Sequence, residues 1–174
     1  MKKSIIIFIL IILIYILIGN VIAEKNIIPD EAIRIRVIAN SNSEYDQNIK
    51  LKVKDNLQTT MYKLLKNTTD VESARNIIND NINLVEAGIY TLLKEEKYYL
   101  PFNVNFGLNY FPKKEFKGIT YNEGYYESVV VTLGEGLGDN WWCVLFPPLC
   151  MIEAEESTDV EYTTFVKKII DKYF

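Results

Sequence analysis

Residues 32–65, AIRIRVIANSNSEYDQNIKLKVKDNLQTTMYKLL, change their hydrophobic period once, and that change decides the fold class. In the first eight residues Ile33, Ile35 and Val37 alternate with Arg34, Arg36 and Ile38, which predicts a half-buried strand. Asn40-Ser41-Asn42-Ser43 follows, a cluster that stops strands and caps helices. Ser41 with Glu44, and Ser43 with Asp46, have capping-box spacing. Beyond it Ile49, Val53, Leu57, Met61, Leu64 and Leu65 fall on one helical stripe, with Lys50, Lys52, Lys54 and Lys63 elsewhere.

Working outward, Asn67-Thr68-Thr69-Asp70 breaks this helix and Thr69 with Glu72 repeats the capping-box spacing. Ala74, Ile78, Ile82, Val85, Ile89 and Leu92 then mark a second amphipathic helix ending near Glu96. Two stripes joined by a short polar turn predict an antiparallel helix pair. After Lys97 the residues are those of strands. Residues 98–111 are rich in aromatic side chains, and Pro112 breaks the run. Asn122-Glu123-Gly124 reads as a hairpin turn between 119–121 and 125–133. Residues 134–140 read as a second turn leading into 141–146, where Pro147-Pro148 ends the strand. One strand, two helices, then several strands predict an α+β fold, its helices packed on one face of a mainly antiparallel sheet.

The N-terminus reads MKKSIIIFILIILIYILIGNVIA. Lys2 and Lys3 precede an apolar run, Gly19 and Asn20 break it, and Val21-Ile22-Ala23 offers a cleavage site before Glu24. The uncharged stretch 4–23 is also long enough to span about 30 Å of hydrocarbon. As signal peptide or as anchor, residues 1–23 place the rest of the chain outside the cytoplasm. Membrane contact through 4–23 follows if the segment is retained. Residues 24–152 then form one globular domain, and 153–174 an acidic linker with a short C-terminal segment.

Composition removes much chemistry. The 174 residues carry a net charge of −4, and without 1–23 the balance is 17 basic against 23 acidic, or −6. With no Lys/Arg stripe, this argues against a nucleic-acid partner. There is no histidine, which excludes His-based triads, Cys–His dyads and imidazole metal sites. No metal or cofactor is expected. Gly134-Glu135-Gly136-Leu137-Gly138 lacks the spacing of a phosphate loop and reads as a hairpin loop. Glu123, Glu127, Glu135 and Asp139 lie near turns, where a carboxylate pair would serve a hydrolase acting on cell-wall glycan. Nothing in their spacing singles out a pair, so no catalytic residue is expected.

Cys143 and Cys150 flank VLFPPL, whose Pro-Pro turn brings the ends back together. Outside the cell this suits a disulfide; the alternative is two free, buried thiols. Trp141 and Trp142 are adjacent, so strand alternation sends them to opposite faces. Unless something covers the outer face, one indole stays available to a partner. Asn40, Ser41, Asn140, Trp141 and Trp142 are therefore the candidate partner-binding residues.

Two blocks, IRIRVIANSNSEYDQNIKLKVKD (33–55) and NYFPKKEFKGITYNEGYYESVVVTLGEGLGDNWWCVLFPPLC (109–150), resemble the stage II sporulation protein R family. The V-I-A-N-S element stands at 37–41, D-Q at 46–47, and L-K-V-K-D at 51–55. The string N-W-W-C-V-L-F-P-P-L-C is intact at 140–150. The chain departs from the family near Tyr121-Asn122, beside the turn glycine and at Val129-Val130-Val131, and the tail after Ile152 has no matching counterpart. The resemblance implies a non-catalytic signal made in the forespore and exported into the space between the two sporangial membranes. There such a protein triggers a membrane-embedded aspartic protease of the mother cell, stage II sporulation protein GA, which matures the sigma-E precursor.

Overall fold

The computed structural model describes Ile12 and residues 28–151 and 159–174; Ile12 apart, the segment read as an export helix at 1–23 lies outside the described residues. Strand β1 (Ile33–Ile38) leads through the 40–43 turn into helix α1 (Glu44–Leu65). Ser43 is the N-cap: its hydroxyl accepts from the Asp46 amide at 3.1 Å, so the second of the two capping spacings is the one used. Helix α2 (Val71–Asp80) begins one residue later than the Thr69 spacing predicts, because the Asp70 carboxylate takes the Ser73 amide at 2.8 Å.

The second predicted helix is two helices. Asn81 leaves helical geometry (φ −113°, ψ 12°), its side-chain amide donates to the Ile77 carbonyl at 2.8 Å, and α3 (Ile82–Glu95) starts directly after it. The buried stripe Ala74, Ile78, Val85, Ile89, Leu93 runs through the break, which is why its period reads as one helix.

Strands β2 (Phe102–Phe111), β3 (Lys114–Phe116), β4 (Ile119–Tyr121), β5 (Gly124–Leu133) and β6 (Asn140–Phe146) follow. The main sheet has the order β2-β5-β1-β6. Its outer pairs are antiparallel and β1–β5 is parallel, so the fold is α+β with a mainly antiparallel sheet.

Two turns differ from their sequence reading. Residues 122–124 do not close a hairpin, because β4 pairs with β3 and not with β5. The tight turn is Lys117-Gly118, both at positive φ (51° and 73°), as a primed two-residue turn requires. Lysine in its first position hides it from a search for Asn-Gly. Nor is 134–139 a hairpin loop: β1 lies between β5 and β6, so the loop crosses over the end of β1.

Both faces of β1 are covered. On one, Ile33, Ile35 and Val37 with Val129, Val131 and Leu133 meet Ile49, Val53, Leu57 and Met61 of α1 and the stripe of α2 and α3. On the other, Ile119 and Tyr121 of β4 pack with Ile28, Ala32, Val144, Leu149 and Val166. Val166 belongs to helix α4 (Asp159–Tyr173), so the C-terminal segment packs on the domain as part of this second layer. Arg34, read as the polar side of a half-buried strand, is therefore only 2% exposed. Its guanidinium lies 3.3 Å from the centroid of the Tyr126 ring and 5.1 Å from those of Phe111 and Trp142.

Candidate functional site

Where loop 134–139 crosses the end of β1 it meets the 40–43 turn, and the two are interlocked. Asn40 Oδ1 accepts from the Glu135 amide at 3.0 Å, and Asn42 Oδ1 from the Asp139 amide at 2.6 Å. The Leu137 and Gly138 amides donate to the carbonyls of Asn40 (3.1 Å) and Ala39 (2.9 Å). Gly134 donates to Pro101 and Gly136 to Leu133. All six amides from 134 to 139 are thus spent within the protein, and none is left to cradle a phosphate.

The glycines are required by this approach. Gly134 and Gly136 have φ of 55° and 67°, where side chains are disfavoured. A Cβ on Gly138 would lie 2.2 Å from the Ser41 carbonyl oxygen.

Helix α1 braces the turn from below. The Asp46 carboxylate accepts from Ser41 Oγ at 2.5 Å and Asn40 Nδ2 at 2.9 Å. Gln47 Nε2 donates to the Ser41 carbonyl at 2.9 Å. Lys50, only 7% exposed, donates to Gln47 Oε1 at 2.5 Å and to the Asp139 carbonyl at 3.3 Å. Asn40 and Ser41 were legible from turn chemistry and Asp46 from its capping spacing with Ser43; Gln47 and Lys50 were not, because a helical period assigns polar residues to solvent.

The Ser41 hydroxyl, helped by Asn40 and Ser43, holds the Asp46 carboxyl below the usual carboxylate range, against the opposing effect of burial. A depressed folded-state pKa stabilises above the unfolded value near ~3.9, and that stabilisation is lost as pH falls through the folded value. We therefore expect Asp46→Asn to cost about 1–3 kcal/mol at pH 7. The gap to the unaltered chain should shrink below about pH 4. Urea unfolding of both proteins across pH checks this; a gap independent of pH would contradict it.

The tryptophans do alternate, but each face has a cover. Trp141 is half-buried against the helix-side core, with Lys54 Nζ 5.8 Å from its ring centroid. Trp142 is half-buried on the opposite face, edge-on to Phe111 (5.5 Å) and Tyr121 (5.2 Å). Asn140 is exposed. The cover over Trp142 comes from β4 and its neighbours. Trp141→Ala and Trp142→Ala should each cost roughly 1–3 kcal/mol, as partly buried aromatics do, and thermal unfolding reads this directly.

Cys143 and Cys150 are free thiols, both half-buried. The Cys150 thiol donates to the Val144 carbonyl at 2.9 Å. Burial, and hydrogen bonding with Cys143, push its pKa well up, the opposite of what a nucleophilic thiol needs. The carboxylates are dispersed. Glu127 is held by Arg75 Nε at 2.8 and 2.9 Å, and the exposed Glu123 accepts from the Tyr110 hydroxyl at 3.2 Å. Glu135 and Asp139 lie past the far end of β5. At ~3.3 Å per residue, the strand from Glu127 to Leu133 alone puts roughly 20 Å between Glu127 and their loop, well beyond a glycosidase pair. Among the described residues no group of His, Cys, Asp or Glu is arranged to hold a metal ion.

Fold and site together define a class: a two-layered α+β domain whose buried polar network fixes the shape of a loop. The family model for stage II sporulation protein R matches residues 29–156. The stage II sporulation protein R of Bacillus subtilis (strain 168) is 38% identical over 127 residues, covering 73% of this chain and 57% of that protein. The chain belongs to the stage II sporulation protein R family. Its matched part spans little more than half the length of that relative. No solved structure matches it. Membership places it among sporulation proteins.

Proposed function

We propose that this chain is exported from the forespore into the intermembrane space and there acts as a ligand. Its target is the membrane-embedded aspartic protease of the mother cell, stage II sporulation protein GA, which then processes the sigma-E precursor. A ligand activates an enzyme by binding its active state more tightly than its inactive one, and for this it needs a fixed surface and no chemistry of its own.

The observation that carries the reading is where the two signature blocks go. Asn40 and Asn42 from the first accept the Glu135 and Asp139 amides of the second, and Ser41 and Asp46 brace the turn that carries them, so residues of both blocks hold a shape. In the same reading Asn140, Trp141 and Trp142 border the loop so positioned, and Cys143 and Cys150 are the pair an external disulfide would oxidise by thiol–disulfide exchange.

Alanine at Glu123, Glu127, Glu135 and Asp139, one at a time, tests the reading against a hydrolase. Protease activation should follow protease binding in every variant. A variant that folds and binds the protease normally yet has lost all activity would return the carboxylate hydrolase.

A further inference from the structure

The two edges of the main sheet are treated differently. Strand β6 is blunted: its register with β1 shifts at Ile33/Arg34, Pro147 follows it, and the Cys150 thiol returns onto the Val144 carbonyl. These are ordinary protections of an edge. Strand β2, FNVNFGLNYF, is bounded by Pro101 and Pro112 but has neither the register shift nor the returning thiol. It is ten residues long, carries neither charge nor proline, and keeps unbroken register with β5 from Phe102↔Leu133 to Phe111↔Gly124. Among the described residues no strand pairs with its outer side.

The helix-side face of this edge is covered only in part. Phe102, Val104 and Phe106 pack under the helices. Further along, Leu108 is 73% exposed, Tyr110 49% and Tyr125, its cross-strand neighbour, 72%. The two tyrosine rings meet edge-on at 5.7 Å, a rigid platform of the residue types that anchor interfaces. Its rim carries three carboxylates and two guanidiniums: Arg75 pairs with Glu72 and Glu127, Arg36 donates to the Tyr110 carbonyl at 3.1 Å, and Glu123, which takes the Tyr110 hydroxyl, has neither cation.

We propose that the outer edge of β2, with the Leu108–Tyr110–Tyr125 platform, accepts an extended segment of a partner protein as an added strand. That segment is apolar at alternate positions and carries a lysine or arginine that reaches Glu123. The main-chain edge supplies affinity, and the platform and the carboxylate supply selectivity. Rim charge chooses among occupants. A second copy would bring the same carboxylates on a chain that is already acidic, and an anionic lipid surface would be repelled. This rests on the function proposed above, the partner being an extracytoplasmic segment of the protease.

The experiment uses the full chain and vesicles carrying the protease, with binding read by co-flotation and folding by thermal unfolding. Leu108→Lys with Tyr125→Ser alters two mostly exposed side chains, so the melting transition should stay in place while affinity falls by about tenfold or more. Glu123→Lys should weaken binding as well. In the unaltered chain, β2 amides should gain hydrogen-exchange protection on adding the vesicles. Binding by the double variant equal to that of the unaltered chain overturns the inference alone. No binding by the unaltered chain overturns the proposed function and this inference with it. Variants that self-associate less, with protease binding intact, would assign the edge to a second copy and overturn it too.

Discussion

Gly138→Ala is expected to remove about 3–5 kcal/mol of stability. The methyl group would sit 2.2 Å from the Ser41 carbonyl oxygen and 2.5 Å from its carbon. These are backbone atoms, held in place by Gln47 and the end of β1, and cannot swing aside as a side-chain tip does. The loop must therefore lift. Lifting breaks the hydrogen bonds from Leu137 and Gly138 to the turn, worth about 1 kcal/mol each, in addition to about 1–3 kcal/mol for overpacking. Gly88→Ala is the contrasting case. It lies inside α3, where a Cβ would meet Asn56 Oδ1 at an ordinary 3.6 Å, so the substitution should gain about 0.5–1 kcal/mol. Urea unfolding of the two variants decides; equal stability for Gly138→Ala and the unaltered chain would refute the interlock.

Arg34→Ala should cost about 3–5 kcal/mol, whereas Arg34→Met should cost less than about 1 kcal/mol or even stabilise. The side chain is among the largest fully buried ones, so alanine leaves a cavity between Tyr126, Phe111 and Trp142. Its charge is poorly compensated: Nε and one Nη lack partners, and burial lowers the pKa although Tyr126 opposes the shift. The stack on Tyr126 returns at most about 2 kcal/mol, less than the usual cost of desolvating a cation. Methionine keeps the volume and drops the charge. If both variants lost the same amount of stability, the cation itself, rather than the space it fills, would be holding the second layer in place.

Local signals in the chain carried the first layer. The alternation of 33–38 and the stripe of 49–65 are set by neighbours one turn or two residues away, and the structure has both elements there. The packing of the second layer was not legible: 119–121 reads as a strand, but nothing near it or near 159–173 shows that both fold back beside Ala32 and Val144. Long-range pairing also explains the loop. Nothing near residues 134–139 announces that β1 will insert between β5 and β6, and that insertion turns an apparent hairpin loop into a crossing. The same crossing explains why Asn40 and Ser41 are there: they bind Asp46 and the loop amides, which leaves little of either for a partner. The Leu108–Tyr125 platform had no signature, since exposed and buried aromatics in a strand read alike until the helices above them are placed.

The most direct test of the central claim is reconstitution of the membrane protease with its sigma-factor precursor in vesicles, titrated from outside with the purified full chain. Precursor cleavage should rise with added chain and saturate, and Gly138→Ala, by loosening the fold, should weaken the response. Cleavage at the same rate with and without the chain would contradict the claim.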